Sequence, residues 1–325
     1  MPLGANKVLF GAGTRNQGAA AGTFEGNSGD SGILLDGCVY QFWDITVTGA
    51  VATYFGDGLN MGKSYGDAMA ANGSGQRCVT HGMGCNGYTA KIDYVTVNSK
   101  SNASFFGNME NNHITDAMSN NTNNRACFTG GRYSNSYDGD IDYVNISSTG
   151  NASNFGSLCF SGTHMATCSN GTSNRALTAG AWRKYGGPLA TMCYFNMGST
   201  GNASNFGSLA TATGFKAGTS SLTNNRALWA GGTSSSSVEY SNISSGSSTS
   251  SFGNVPQASG NFAGGLCSNG TAGRAVGVVG YDNGSGSYVS SSMYYVSISS
   301  TSNSSDFGTL YADVGSTVGC ESNST

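Results

Sequence analysis

Polar and apolar positions along this chain keep two rhythms at once. Over short stretches they alternate. In residues 141–146 (IDYVNI), Ile141, Tyr143 and Asn145 fall on one side and Asp142, Val144 and Ile146 on the other. That is the period of a β-strand. Over long stretches the strands themselves recur. Residues 124–158 (NRACFTGGRYSNSYDGDIDYVNISSTGNASNFGSL) show the unit: an Arg leads a short apolar run into Gly-Gly, a Tyr sits in an alternating strand, and a Phe-Gly closes a polar turn. The Arg recurs at Arg77, Arg125, Arg175, Arg226 and Arg274, with Lys7 as a degenerate first copy. The Tyr recurs at Tyr94, Tyr143, Tyr194, Tyr240 and Tyr295, with Phe42 in its place at the start, and the Phe at Phe55, Phe106, Phe155, Phe206, Phe252 and Phe307. In the last five copies the Tyr lies twelve positions before the Phe. A period of roughly fifty residues, held six times, is a repeat architecture in which no unit buries a core alone.

Each unit reads as four strands: one just before the Arg (residues 164–169 in HMATCS), one led by the Arg, one carrying the Tyr, and one around the Phe-Gly. The turn before the last is Thr-Gly-Asn-Ala in two copies (residues 149–152 and 200–203), which suits a hairpin with a left-handed Gly. No sustained helical period interrupts them. Six four-stranded antiparallel units around an axis predict a single all-β domain over 1–325, a six-bladed β-propeller, with repeats at approximately 6–76, 77–124, 125–174, 175–225, 226–273 and 274–325. The last copy lacks a following Arg strand, so the C-terminal strand is expected to close the ring on the N-terminal one, near residues 7–11. The first copy carries extra residues between Gly13 and Tyr40, read as a loop with a small hairpin at 32–39.

Composition narrows the function. Gly is 51 of 325 residues and aromatics are 10%. Regularly placed aromatics among polar residues fit short strands and turns rather than disorder. A formal charge of -3, without a basic stripe, speaks against nucleic acid. No apolar run spans a bilayer, and residues 1–13 lack the pattern of a secretory signal. The nine Cys include Cys168, Cys267 and Cys320 at one repeat position, where whole sheets would hold them apart. With Cys78 and Cys127 they read as small buried apolar residues of a chain folded in a reducing cytosol. Cys38 and Cys85 fall in loops.

The leading Args suit inter-blade cross-links better than an anion site, because they recur in every unit. The Tyr and Phe read as wedges between sheets. The loops after Gly-Gly emerge on one face and carry Tyr88, Tyr133, Tyr137, Trp182, Tyr185, Tyr281 and Tyr288 among Gly, Ser and Asn, the composition of adaptable binding loops. Asp138, Asp140 and Asp142 form an acidic run without the rest of a calcium loop, and read as a solvated turn. His81, His113 and His164 occupy unrelated repeat positions. With no nucleophile elbow and no Cys/His cluster, no enzymatic activity, metal or cofactor is expected. The sequons at Asn102, Asn145, Asn151, Asn202 and Asn242 read as chance matches.

The order Gly-Gly, Tyr, aromatic resembles the kelch motif, with Phe in place of the usual Trp. Residues 226–232 (RALWAGG), 141–146 and 149–158 (TGNASNFGSL) resemble tandem repeats of predicted bacteriophage structural proteins over nearly the whole chain. That resemblance implies a non-enzymatic virion component of a tailed phage, in tail, fibre or surface, made in the host cytoplasm. Its expected partners are other virion proteins and a host-surface glycan held by the loop face. The alternative is a free carbohydrate-binding lectin propeller.

Overall fold

A computed structural model describes residues 31–36, 39–58, 68–71, 77–82, 89–97, 99, 101–111, 116–119, 124–133, 136–169, 174–220, 225–233, 235–246, 248–256, 261–262, 265–268, 273–278, 281–282, 290–314 and 319–322. They form a six-bladed β-propeller. Blade 2 takes, from axis to rim, Ala68–Ala71, Arg77–His81, Lys91–Thr96 and Ser104–Asn108. Blade 3 takes Asp116–Ser119, Arg125–Tyr133, Ser136–Asn145 and Ser153–Ser157. Blade 4 takes Ala166–Ser169, Arg175–Arg183, Gly187–Asn196 and Ser204–Ser208. Blade 5 takes Lys216–Ser220, Arg226–Gly231, Ser237–Asn242 and Ser250–Asn254. Blade 6 takes Leu266–Ser268, Arg274–Val278, Ser290–Ser297 and Ser305–Val314. Blade 1 is composite: Gly319–Ser322 at the axis, then Ser31–Asp36, Val39–Asp44 and Thr53–Asp57.

The C-terminal strand closes the ring on Gly32–Leu35, while residues 7–11, where the closure was expected, lie outside the described residues. The stretch expected to be an inserted hairpin is the second and third strands of blade 1. Register explains the difference. Ile33 pairs with Phe42 as Leu177 pairs with Tyr194, so Phe42 does hold the Tyr position. Ser31, opposite Asp44, stands where the other blades have Arg. Lys7, read from sequence as the first copy of that Arg, lies outside the described residues.

Apolar residues are buried between sheets rather than in one central core. One cluster fills each of the six junctions, including Trp43 and Ile45 of blade 1 against Val276 and Phe307 of blade 6. The recurring Tyr and Phe meet edge to face, with centroids 5.8 Å apart for Tyr143–Phe155 and 6.1 Å for Tyr295–Phe307. Such pairs add about 0.5–1.5 kcal/mol each beyond area burial.

Three concentric sets of polar bonds repeat around the ring. Nearest the axis, the hydroxyls of Ser119, Ser169, Ser220 and Ser268 donate to the carbonyls of Ala71, Ser119, Ser169 and Ser220 in the preceding blade. At mid-radius each leading Arg lies over the Tyr of its own blade, 4.6 Å from the Tyr94 centroid and 4.7 Å from that of Tyr194. Its guanidinium then donates to a carbonyl of the next blade. Arg77 reaches Ser147 (3.0 Å), Arg125 reaches Met197 (2.8 Å), Arg175 reaches Ser244 (2.7 Å) and Arg226 reaches Ile298 (2.8 Å). Arg274 reaches Thr46 (3.2 Å), which ties blade 6 to blade 1. The Args are thus cross-links of the expected kind.

At the rim, the Asn of four of the polar turns accepts from the preceding blade. Asp57 N donates to Asn102 Oδ1, Asn108 N to Asn151, Ser157 N to Asn202 and Asn254 N to Asn303, each at 3.0 Å. This turn is not a tight hairpin. Gly150 and Gly201 do not take the left-handed conformation expected of them, because the segment runs along the neighbour's outer strand, with Ala152 N donating to Asn108 O. The same approach explains the Gly of Phe-Gly: a Cβ on Gly107 would lie 2.0 Å from the Gly150 carbonyl oxygen.

Asparagine has a second fixed role. Asn124, Asn174 and Asn225, each just before an Arg, have φ of 49°, 51° and 48°, and Gly273 stands at the equivalent place with φ 56°. Asn tolerates this region better than most residues. Of the sequon asparagines, Asn145 and Asn242 accept from Ser147 N and Ser244 N within their own turns.

The cysteines depart from expectation at one pair. Cys78, Cys127, Cys168 and Cys267 are buried, as expected. Cys159, just beyond the outer strand of blade 3, forms a disulfide with Cys193 in the third strand of blade 4. Cys38 and Cys85 lie outside the described residues. Asp142 lies in the third strand, as its place in residues 141–146 predicts. It precedes Tyr143, on the opposite sheet face, and is 7% exposed.

Candidate binding site on the hairpin face

Strands alternate in direction, so the hairpins between second and third strands share a face with the connections from each outer strand to the next blade. The Gly-Gly signature builds these hairpins. Gly130 (φ 54°) and Gly180 (φ 63°) sit at breaks in register with the third strand. A Cβ on Gly180 would come within 2.5 Å of the Thr213 carbonyl oxygen. Bulges of this kind bend a strand and re-aim its far end. In blades 3 and 4 a two-stranded ribbon continues past them, to Tyr133 paired with Ser136 and to Arg183 paired with Gly187.

Trp182 and Tyr185 belong to the blade-4 ribbon. Trp182 is half-buried, and Tyr185 at the tip is 81% exposed, with Lys184 Nζ 5.0 Å from its ring centroid. Tyr137, half-buried on the blade-3 ribbon, faces Arg132 across the strand pair, with the guanidinium 5.8 Å from its centroid. Tyr133 lies in the strand of that ribbon and Tyr281 in a short strand pair with Phe262, the counterpart of Thr163 with Trp182. Tyr88 and Tyr288 lie outside the described residues. The structure thus gathers Trp182, Tyr185 and Tyr137 onto two adjacent ribbons.

The connection from blade 3 to blade 4 binds those ribbons together. Gly162 N donates to Asp138 O (3.0 Å), Gly131 N donates to Gly162 O (2.9 Å), and Thr163 and Trp182 exchange backbone bonds of 3.1 and 2.8 Å. The next connection repeats the path one blade on, where Phe215 N donates to His164 O at 2.9 Å. His164 and Phe215 are equivalent residues of blades 4 and 5. Their rings stack at 4.1 Å with planes 18° apart, and Trp182 lies 6.2 Å from Phe215. Both have positive φ, 52° and 62°. For bulky residues this costs on the order of 1–3 kcal/mol each, so the surrounding packing holds an aromatic group in an unfavourable backbone.

Two titrating groups share this end of the axial strands. Burial raises the Asp116 carboxyl to about 7, against bonds from Ala117 N and from Thr167 that lower it. Burial, assisted by Arg132, lowers the His164 imidazole to about 4. The signs oppose. The raised carboxylate adds stability as pH falls from about 7 towards 4, because the folded state takes up its proton first. The depressed imidazole removes stability as pH falls from about 6.5 to 4, because the unfolded state takes up the proton first. The wild-type dependence between pH 7 and 4 is therefore expected to be shallow at these two sites. Asp116→Asn is expected to lose stability on acidification relative to wild type, and His164→Gln to gain it, as read from urea midpoints at pH 4 and 7.5. Parallel curves for all three proteins would refute this.

Asp138 Oδ1 accepts from Gly139 N (2.6 Å) and Asp140 N (3.0 Å), fixing its own turn. Among the described residues, no three of His, Cys, Asp or Glu are grouped to hold a metal ion. His81 is buried in the junction of blades 2 and 3, edge to face with Phe128, and its Nε2 lies 3.1 Å from Thr89 O.

His164 and Phe215 were not singled out from sequence as site residues. The available signal was positional: each stands five residues before the Ser that ends its inner strand, Ser169 and Ser220. No protein-family model matches the chain, and no curated protein does.

Proposed function

We propose that this propeller is a non-enzymatic binding scaffold of a tailed-phage virion, which holds a host-surface glycan through the hairpin face of blades 3 to 5. The observation that carries the binding half is the aromatic group itself. Trp182 and the stacked His164–Phe215 pair are fixed by backbone bonds, with Tyr185 held 81% exposed beside them. Rigid aromatic faces bind the apolar faces of sugars at little cost in conformational entropy. The virion half rests on the likeness of the repeats to phage structural proteins. The Cys159–Cys193 disulfide adds to it, since disulfides persist on particle and cell surfaces and are rare in a reducing cytosol.

A glycan array probed with the purified chain tests binding. Tyr185→Ala and Trp182→Ala are expected to reduce the signal at least tenfold for the sugars that wild type retains. An array on which no sugar is retained would overturn the binding half. Locating the chain in a density map of an intact particle tests the other half, and finding it only as a free secreted protein would favour a lectin.

A further inference from the structure

The blade-4 ribbon differs in charge from the other hairpins. No Asp or Glu occurs between Asp142 and Glu239, a stretch that includes the whole of blade 4. Arg175 and Arg226, within it, are engaged at blade junctions, and Lys216 is paired with Glu239. Arg183 and Lys184 are not placed that way. They occupy the tip of the ribbon between Trp182 and Tyr185. The Arg183 guanidinium lies against the Gly186 turn, its Nε buried without a hydrogen-bond partner. The carboxylates of the neighbouring ribbon are turned elsewhere, Asp138 onto its own backbone and Asp140 towards the Ser157 hydroxyl (3.5 Å).

We infer that Trp182, Arg183, Lys184 and Tyr185, backed by Phe215, form a subsite for an anionic sugar. The ring of the sugar packs on the aromatic faces, and its carboxylate or sulfate meets the two cations. This rests on the glycan-binding reading above and specifies its chemistry. A planar guanidinium suits a carboxylate or sulfate in two-point contact, and an exposed ammonium adds attraction that salt screens. A neutral sugar would gain only the aromatic part.

The test compares matched pairs. Oligogalacturonate and its fully methyl-esterified form supply the carboxylate arm, and a sulfated galactan oligosaccharide without uronic acids and its desulfated form supply the sulfate arm. Calorimetry is expected to show at least tenfold tighter binding of one anion over its neutral twin, diminishing with added salt. Arg183→Gln with Lys184→Gln should abolish that preference, while Lys91→Gln, an exposed cation on the same face of blade 2, leaves it intact. Lys184→Gln alone, at the exposed tip, serves if the double variant has a lowered thermal midpoint, and should at least halve the preference. Equal binding of charged and neutral twins, or a preference that survives the substitutions, overturns the anionic subsite while leaving glycan binding in place. No binding of any of the four also overturns the anionic subsite, and the glycan array decides the wider reading separately.

Discussion

Lys216→Met is expected to destabilise the propeller by about 3–5 kcal/mol, the usual cost of leaving one partner of a buried ion pair uncompensated. The Lys216 ammonium is 3.2 Å from Glu239 Oε1 and donates to Gly231 O at 2.9 Å, with the two side chains 1% and 5% exposed. The other carboxylate oxygen accepts from Ala210 N at 2.8 Å and from the Thr249 hydroxyl. Burial lowers the Lys216 pKa, and Glu239 opposes that shift. With Met at 216 the carboxylate keeps those two donors and loses its counter-charge. Adding Glu239→Gln removes the stranded charge and keeps an acceptor for Ala210, so the double variant is expected to recover most of the loss. The chain already holds a buried Gln at this place in blade 1, Gln41, 1% exposed. Urea unfolding of the single and double variants measures the coupling. A single-variant loss below about 1 kcal/mol would mean the pair is effectively hydrated.

Removal of the disulfide, as Cys159→Ala with Cys193→Ala, is expected to cost about 3–4 kcal/mol from loop closure over the 34-residue separation. The bond spans blades 3 and 4 with Cα atoms 6.0 Å apart. Its position repeats one junction on. Cys159 corresponds to Ala210, four residues after the Phe, and Cys193 to Glu239, just before the Tyr. Cys159 N approaches Cys193 Sγ at 3.2 Å as Ala210 N donates to Glu239. Blade 4 thus fastens covalently where blade 5 uses a carboxylate. Reductant should lower the wild-type urea midpoint and leave the double variant unchanged. Thiol titration of the unreduced protein finding nine free thiols would remove the bond from the account.

Much of the fold was legible because one contact is solved repeatedly by the same residues. Arg over Tyr, Tyr against Phe, and a Gly beneath a neighbour's carbonyl recur at fixed spacing, and recurrence separates them from local noise. Blade 1 was misread where its copy diverges. Residues 7–11 look like a strand by apolarity alone, whereas pairing is decided by register, and Ile33 opposite Phe42 sets that register. The ribbon aromatics were legible as loop residues of binding composition. The His164–Phe215 stack was not, since the two lie a full repeat apart and meet only because neighbouring blades place equivalent residues side by side. The disulfide was hidden similarly: it joins two different repeat positions, and only the packing of an outer strand on the next blade's third strand brings them within reach.

The composite blade has a consequence for how the ring is made. Ser31–Asp36 leaves the ribosome before any other described strand, and Gly319–Ser322, its axial neighbour, leaves after all of them. Throughout translation of the intervening blades, Gly32–Leu35 is without the axial strand that pairs with it in the finished ring. Ring closure therefore waits on the last described strand. A circular permutant opened between two other blades would place both strands on one continuous stretch and turn that last, long-range step into a local one.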